Sequence, residues 1–501
     1  MTQENDKDLE TQYLQDAALE RIVEQLVMFD QRLTSMETGT TKVNRQGTNA
    51  VEILRNDVKN LKSELTHVNN RAATMRLDRQ FKLAAQRVFK KKKKERKKPT
   101  QLTKVQKERQ AAVKKVTRDM TVKTNVAIIC GAYPGGQRDY GGEFIQKRAE
   151  AYQAAGLSPV VLEISAGTKT LMRHKVQGVE VVRLNPAGLG KLLRLSTIKK
   201  FAIHSIEKPV WTIIKPYVDK TPAFVWVHGF EARRWQELSF NFSEEDLKTL
   251  RPRLDKANAD RMETMQAVFT HPNVQTIFVS HYMKAVAEGF AGVAAPQSHV
   301  IHNSINPRDF PYTPKTPDAR KHILWVRTFA AKNYANDISR DVILGLSKKP
   351  YFKDLSFSIF GAGRYFDEIT APLRDFENVS INNHFLNRQE LQDQHSRHGV
   401  KLVPSRWDSQ GLTCGEAMHS GLVPLTSFVT GLTEFVDEDC AILAPRDGVK
   451  ELIDGYDRLF KEPSFYKKLS ENAAARSSKQ CHPKVTLKRE IKLLKKKLNT
   501  K

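Results

Sequence analysis

The sequence predicts an α/β protein of two Rossmann-like domains, preceded by an N-terminal α-helical coiled coil and a basic helical extension. Three observations carry this reading. From Asn125 onward, short apolar runs alternate with helical stretches and glycine-rich turns, the pattern of parallel sheets with crossover helices. That alternation is interrupted by a proline-rich stretch from Pro307 to Pro317, which suits a link between two domains. Residues 1–80 instead carry apolar side chains stepping by three and four, the spacing of a coiled-coil seam. A chain of 501 residues also exceeds what one compact core accommodates.

Within residues 1–80, Leu19, Ile22, Leu26, Phe29, Leu33 and Met36 form one apolar series. Val51, Leu54, Val58, Leu61, Leu65, Val68, Ala72 and Met75 form a second. The polar stretch Thr38 to Asn49 separates them. Self-association into a homo-oligomer and packing of these helices within their own domain both fit the pattern.

Residues 81–123 read as a basic helical linker. The formal net charge is +26, and residues 82–123 hold 17 Lys and Arg against 3 acids. Residues 484–501 hold 8 against 1. Charge this local implies a polyanionic surface. The run Lys90 to Lys98, beside Phe81, Leu83, Val88 and Phe89, suits an anionic membrane surface. A solvated linker fits the same residues, and the lysine run lacks the interleaved aromatics of a nucleic-acid stacking platform. The last helix, with Val485, Leu487, Ile491, Leu493, Leu494 and Leu498 among lysines, reads as basic and amphipathic. It suits either the same membrane surface or packing on the protein. No run of ~18 apolar residues occurs and Met1 to Glu10 is polar, so the expected location is cytoplasmic, peripheral on the inner face of the plasma membrane. The scattered Cys130, Cys414, Cys440 and Cys481 fit a reducing compartment.

The first Rossmann-like domain is expected over residues 124–308. Val126 to Cys130 reads as a buried strand. A glycine loop through Pro134, Gly135, Gly136, Gly141 and Gly142 follows, then a helix from Glu143 to about Ala155 and a strand from Pro159 to Ile164. Gly141 and Gly142 before a helix let the backbone approach an anion. Strands follow at Val179 to Leu184 and Ala223 to Val227, with a helix over Lys199 to Lys215 kinked at Pro209. His228 lies just past a strand end, where the ligand crevice of an open α/β sheet forms. Thr276 to Ser280 and Ser298 to Ile301 complete the sheet.

The second domain is expected over residues 309–470, with basic helices over 471–501. Its first strand, His322 to Val326, leads to Arg327 and, five residues later, Lys332, two cations able to grip a diphosphate without a metal. Leu355 to Phe360 leads into the loop Gly361–Gly363. Strands at Val379 to Ile381 and Gly399 to Val403 lead to Asp408 and Glu416, the second near the start of a helix read as Gly415 to Ser420. Leu422 to Leu425 and Ala441 to Ala444 read as strands, and Val449 to Phe460 as a helix.

Over about residues 124–475, this ordered set resembles a retaining GT-B glycosyltransferase of glycosyltransferase family 4. The matching pieces are Gly141 with Gly142, His228, Val300 to Asn306, Arg327 with Lys332, Gly361 with Gly363, Pro404 with Ser405, Asp408 with Glu416, and Gly431 with Glu434. The resemblance implies retaining transfer of a sugar, of the hexosyltransferase type, from a nucleoside-diphosphate sugar to a glycan or glycolipid acceptor, with no metal or other cofactor. It implies that Glu416 binds the donor ribose and that Asp408 and His228 lie by the donor sugar. Arg327 and Lys332 would neutralise the leaving diphosphate. Gly141, Gly142, Gly361, Gly363, Gly411, Leu412 and Glu434 would contact the donor. The family usually has Glu where Asp408 stands, and Gly where Val326, Asn333 and Ser304 stand. The expected setting is synthesis of a bacterial cell-surface polysaccharide or glycolipid. A coiled-coil scaffold carrying a degenerate transferase module is the alternative.

Overall fold

The structure, a computed structural model, describes residues 120–135, 142–168 and 170–496. The coiled coil read over 1–80, the basic run Lys90 to Lys98 and Gly141 lie outside the described residues. Within them the chain forms two α/β units, each around a parallel sheet.

In the first, β1 (Val126–Cys130) is followed by α1 (Glu143–Ala154), β2 (Pro159–Ile164), β3 (Met172–Val176) and β4 (Val179–Leu184). Then come α2 (Pro186–Leu195), β5 (Phe201–His204), α3 (Lys208–Val218), β6 (Ala223–Val227), α4 (Glu244–Thr270), β7 (Val274–Phe278), α5 (His281–Ala291) and β8 (Ser298–Val300). The sheet order is β8-β7-β6-β5-β1-β2-β4-β3, parallel except for the β3–β4 pair. Every residue of β1, β2 and β6 is buried, as strands covered on both faces require. The order reverses between β1 and β5, which places the crevice above that pair.

The region read as one helix over Lys199 to Lys215 is instead β5 followed by α3. Phe201, Ala202 and Ile203 are buried between β1 and β6. Pro209 does not kink the helix: it lies in the first turn of α3, where its missing N–H costs nothing. The strand expected at Thr276 to Ser280 begins and ends two residues earlier. Ser280 instead caps α5, its Oγ accepting the Met283 N–H at 3.0 Å.

The second unit contains β9 (His322–Val326), α6 (Asn336–Leu346), β10 (Ser356–Phe360), α7 (Phe366–Thr370) and β11 (Val379–Asn382). It continues with α8 (Arg388–Arg397), β12 (Val400–Leu402), α9 (Leu412–His419), β13 (Val423–Ser427), β14 (Ile442–Ala444), α10 (Val449–Lys461) and α11 (Pro463–Cys481). Its sheet is wholly parallel, in the order β11-β10-β9-β12-β13-β14, and reverses between β9 and β12.

The final helix, α12 (Thr486–Lys495), returns to the first unit. Its buried side chains Leu487, Glu490 and Leu494 face α1 and the β1–β6 core, and Leu494 joins the cluster of Val126, Ile128, Tyr152 and Trp226. This corrects the membrane reading of the helix. Its apolar face is covered by protein, which leaves Lys488, Arg489, Lys492, Lys495 and Lys496 as the exposed residues. Among the described residues, no helix is long and apolar enough to cross a membrane.

Candidate active site

Both switch points carry polar groups that the fold buries. In the second unit, Arg327 follows β9 and reaches across the switch point to the end of β12. Its Nη2 donates to Ser405 Oγ at 2.9 Å and to Val403 O at 3.5 Å. The residue is 7% exposed, Nε has no acceptor, and no carboxylate pairs with it among the described residues. A buried guanidinium with a free Nε–H and no carboxylate partner among the described residues has the chemistry to receive an anion. The loop Gly361 to Gly363 stands against it. Both glycines have positive φ, 151° and 146°, and a Cβ at Gly361 would collide with the Arg327 carbonyl. Lys332 sits in a short 3-10 turn, Lys332–Tyr334, with its side chain exposed and its N–H donating to Asn241 Oδ1 of the first unit at 2.8 Å. Arg327 and Lys332 thus share a loop, with Arg327 buried and Lys332 exposed, its ammonium 6.0 Å from the centre of the Tyr365 ring.

Glu416 lies on α9, which begins at Leu412, three residues before the expected start. Glu416 therefore sits in the second turn rather than at the first. The earlier start has a local cause: Asp408 Oδ1 accepts the N–H groups of Gln410 at 3.2 Å and Gly411 at 2.7 Å, folding the loop into the helix entrance. Among the described residues no group hydrogen-bonds the half-buried Glu416 carboxylate. Burial raises its pKa, while the field of Lys401 pulls it back down.

Lys401 is a buried cation near the candidate site that sequence reasoning missed. It lies mid-strand in β12, paired with Leu324 of β9 and Pro424 of β13, and is fully buried. Its Nζ stands 3.0 Å from His395 Nε2, and His395 Nδ1 stands 3.1 Å from Ser420 Oγ at the end of α9. An ammonium can only donate, so His395 accepts at Nε2 and carries its proton on Nδ1. Burial drives the Lys401 pKa down, and Glu416 opposes that shift.

The loop from Ser405 to Gly411 also docks the two units. Trp407 packs against Gly229 in the core of the first unit, with the Arg233 guanidinium 4.6 Å above its ring. Ser280 Oγ donates to Ser409 O at 2.6 Å. The Gln410 amide exchanges two hydrogen bonds with the Asn303 backbone, at 2.7 and 3.1 Å. Glu434 was expected at the donor, but both its carboxylate oxygens accept from the N-terminus of α5, from His281 N at 2.9 Å and Tyr282 N at 2.5 Å. It is a cap across the domain boundary. Leu412 packs with Ile305, Phe435 and Cys481 beside the same boundary.

On the first unit's wall, His228 ends β6. Its Nε2 stands 3.0 Å from Nδ1 of His204, the last residue of β5. His204 stacks on Trp226 at 4.5 Å, and Phe144 of α1 lies 4.6 Å from His228. Burial holds both histidines well below the usual imidazole pKa, with Arg148 adding to it, so the pair is neutral and shares one proton between the facing nitrogens. Glu231, fully buried, accepts the N–H of Gly229 at 2.8 Å and of His228 at 3.2 Å, which fixes the turn beneath His228. Gly142 stands at the entrance of α1 with φ 79°, where a side chain would strike the Ala132 carbonyl. The structure therefore places His228 after β6 and Gly142 at the entrance of α1 in the first unit, and Arg327, Gly361, Gly363, Asp408, Gly411 and Glu416 in the loops and helix that follow β9, β10 and β12 in the second. No three His, Cys, Asp or Glu side chains among the described residues converge as a metal site. All four cysteines are free and buried.

The fold has its counterpart in known proteins. Residues 339–476 match the family model of Glycosyl transferases group 1. The match contains Lys401, Asp408 and Glu416 and begins after Arg327 and Lys332. Among solved structures, sucrose-phosphate synthase from Thermosynechococcus elongatus is similar over 74% of this chain and 98% of its own, with a TM-score of 0.56 at 14% identity. HepE from Anabaena, in complex with UDP and glucose, is similar over 74% of this chain and 99% of its own, with a TM-score of 0.54 at 12% identity. WaaG, a glycosyltransferase involved in lipopolysaccharide biosynthesis, is similar over 74% and 100%, with a TM-score of 0.53 at 13% identity. No curated protein sequence matches the chain significantly. A glycosyltransferase group 1 domain on a GT-B fold is what these likenesses support.

Proposed function

We propose that this protein is a retaining, metal-independent glycosyltransferase of family 4. It transfers a sugar from a nucleoside-diphosphate sugar to a glycan or glycolipid acceptor in bacterial cell-surface polysaccharide or glycolipid synthesis. The observation that carries the reading is Arg327: a cation buried at a topological switch point, with no carboxylate partner among the described residues, beside Gly361 and Gly363, which only as glycines pack this closely on the Arg327 and Phe329 backbone. Departure of a nucleoside diphosphate builds negative charge on its phosphates, and a fixed guanidinium there stabilises the transition state directly. Lys332 swings in from the same loop. Glu416 accepts the ribose hydroxyls, Asp408 and Gly411 frame the donor sugar, and His228, held neutral by burial, faces that sugar from the first unit. Closure of the cleft excludes the water that would otherwise hydrolyse the donor.

HepE is described with UDP and glucose, and WaaG with lipopolysaccharide synthesis, which supports a nucleotide donor and an envelope acceptor here. Lys90 to Lys98 would draw the enzyme to the anionic inner face of the plasma membrane, multiplied by self-association through residues 1–80. Binding to anionic vesicles should fall when Lys90 to Lys94 are changed to Gln; unchanged binding removes the membrane part of the proposal. The enzymatic part is tested by incubating the protein with a panel of UDP-, GDP-, ADP- and dTDP-sugars and following nucleoside-diphosphate release. One donor class is expected to turn over, with Asp408→Ala and Glu416→Ala as inactive controls. Turnover unaffected by both substitutions would sink it.

A further inference from the structure

The turn that carries Lys332 is strained and tied down. Ala335 ends it at φ 46°, in the left-handed region, where an alanine Cβ crowds the following carbonyl. Such a conformation persists only where the surroundings hold it, and it clusters at ligand sites. The holding group here is Arg406, which follows Pro404 and Ser405 and has its side chain 11% exposed. Its Nη1 donates to Lys332 O at 2.9 Å, and its backbone N–H donates to Asn333 O at 2.9 Å. The rest of the guanidinium is anchored. Nη1 and Nη2 fork onto the two carboxylate oxygens of Asp337, in the first turn of α6, at 2.8 and 2.6 Å. Nε donates to Asp447 Oδ1, between β14 and α10, at 2.7 Å. One side chain therefore joins the Lys332 turn to two other segments of the second unit. The first unit reaches the same place: Asn241 Oδ1 accepts the Lys332 N–H at 2.8 Å, and the Phe240 ring lies 6.0 Å from Arg406 Cζ. The turn also touches the buried cation, since the Tyr334 ring lies 5.1 Å from Arg327 Cζ.

We propose that Arg406 is a positioning residue for diphosphate binding, whose guanidinium holds the strained Lys332 turn in place so that the Lys332 side chain is the only part left to order when the diphosphate arrives. The inference rests on Lys332 gripping the diphosphate, as in the proposed function. Arg406 itself has no donor left for a ligand, because its hydrogen bonds to Asp337, Asp447 and Lys332 O occupy all three guanidinium nitrogens. Its contribution is preorganisation: backbone entropy that a loose turn would lose on binding has already been lost on folding. Without Arg406, the strain at Ala335 favours a relaxed turn, and binding must first restore the held one.

The test is calorimetric titration of UDP, GDP, ADP and dTDP into the full-length protein. Arg406→Met is expected to weaken the nucleotide that the wild type binds by about 10-fold. In a Lys332→Ala background the same change should cost about twofold at most, because the turn then carries no cation to place. Arg406→Lys must repeat the result, which covers a Met variant that fails to fold: one ammonium cannot span Asp337, Asp447 and Lys332 O together. Ala335→Gly, which takes up φ 46° without strain, should return part of the affinity to the Arg406→Lys variant. A merely structural Arg406 would lower affinity by the same factor with or without Lys332, and Ala335→Gly would restore nothing. That pattern, or wild-type affinity in the folded Met or Lys variant, overturns the inference. A wild type that binds none of the four nucleotides, or a Lys332→Ala variant that binds as the wild type does, overturns the proposed function instead.

Discussion

Glu490 offers the sharpest test of how the two units are held. It is fully buried on α12, and Arg148 of α1 is 1% exposed. Arg148 Nε donates to both carboxylate oxygens at 3.1 Å and Nη2 donates at 2.9 Å. The Tyr152 hydroxyl adds a bond at 2.7 Å and Trp226 Nε1 another at 3.4 Å. Glu490→Ala leaves Arg148 with Phe144 O and Asn303 Oδ1 and no charge partner. Removing one member of a buried ion pair costs about 3–5 kcal/mol. At a urea slope of about 2 kcal/mol/M, the unfolding midpoint should fall by about 2 M. Trp226, in direct contact with the carboxylate, makes tryptophan fluorescence a suitable probe. Hydrogen exchange over 486–495 should accelerate in the same variant, because α12 loses its buried polar anchor. Pairing the change with Arg148→Met in an Arg148→Met/Glu490→Leu double variant should recover most of the loss, since apolar replacement of a buried pair is often neutral or stabilising. A midpoint shift below about 0.3 M for Glu490→Ala would refute the idea that this pair latches α12.

Three further outcomes follow from the same geometry. Arg327→Met should change the stability of the unliganded protein little, because the several kcal/mol of desolvation recovered offset two charge-assisted hydrogen bonds of about 1.5–3 kcal/mol each, while donor kcat/KM falls about 10²–10³-fold; melting curves and turnover check it. Stability should decline as pH falls below about 6.5, because the unfolded chain protonates His204, His228 and His395 where the folded chain keeps them neutral; each contributes up to about 1.4 kcal/mol per pH unit, and His204→Phe should flatten the slope of unfolding free energy between pH 6.5 and 5. Asp408→Glu should lower stability by about 1 kcal/mol through the displaced bonds to Gln410 and Gly411, and change the preferred donor sugar in a turnover panel.

Much of the sheet framework was legible because its strands are uninterrupted apolar runs. Val126–Cys130, Pro159–Ile164, Val179–Leu184, Ala223–Val227 and His322–Val326 have the bounds their residues suggest. Phe201–His204 escaped because four residues are too few for a period, and the helix behind it absorbed them. The placement of Asp408 in a turn and of Glu416 on a helix that ends before Gly421 was legible from the residues around them. Lys401 was not: a lysine in a strand reads as the solvent face, and only the paired strands on both sides reveal that no solvent reaches it. Glu490 was hidden likewise, as one acid among the lysines of a basic helix. Its partner Arg148 lies 342 residues away, a separation no local pattern spans. Glu434 shows the converse: its position near Gly431 suggested a donor ligand, while the arrival of α5 from the other unit supplies two N–H groups that occupy it.

The proposed function makes Arg327 the receptor of the donor diphosphate. Calorimetric titration of nucleoside diphosphates into the wild type and Arg327→Met tests it most directly. The expected result is binding of at least one nucleoside diphosphate by the wild type, weakened about 100-fold or more in the folded Met variant, with the matching nucleoside bound equally weakly by both. Equal diphosphate affinity in the two proteins would contradict it.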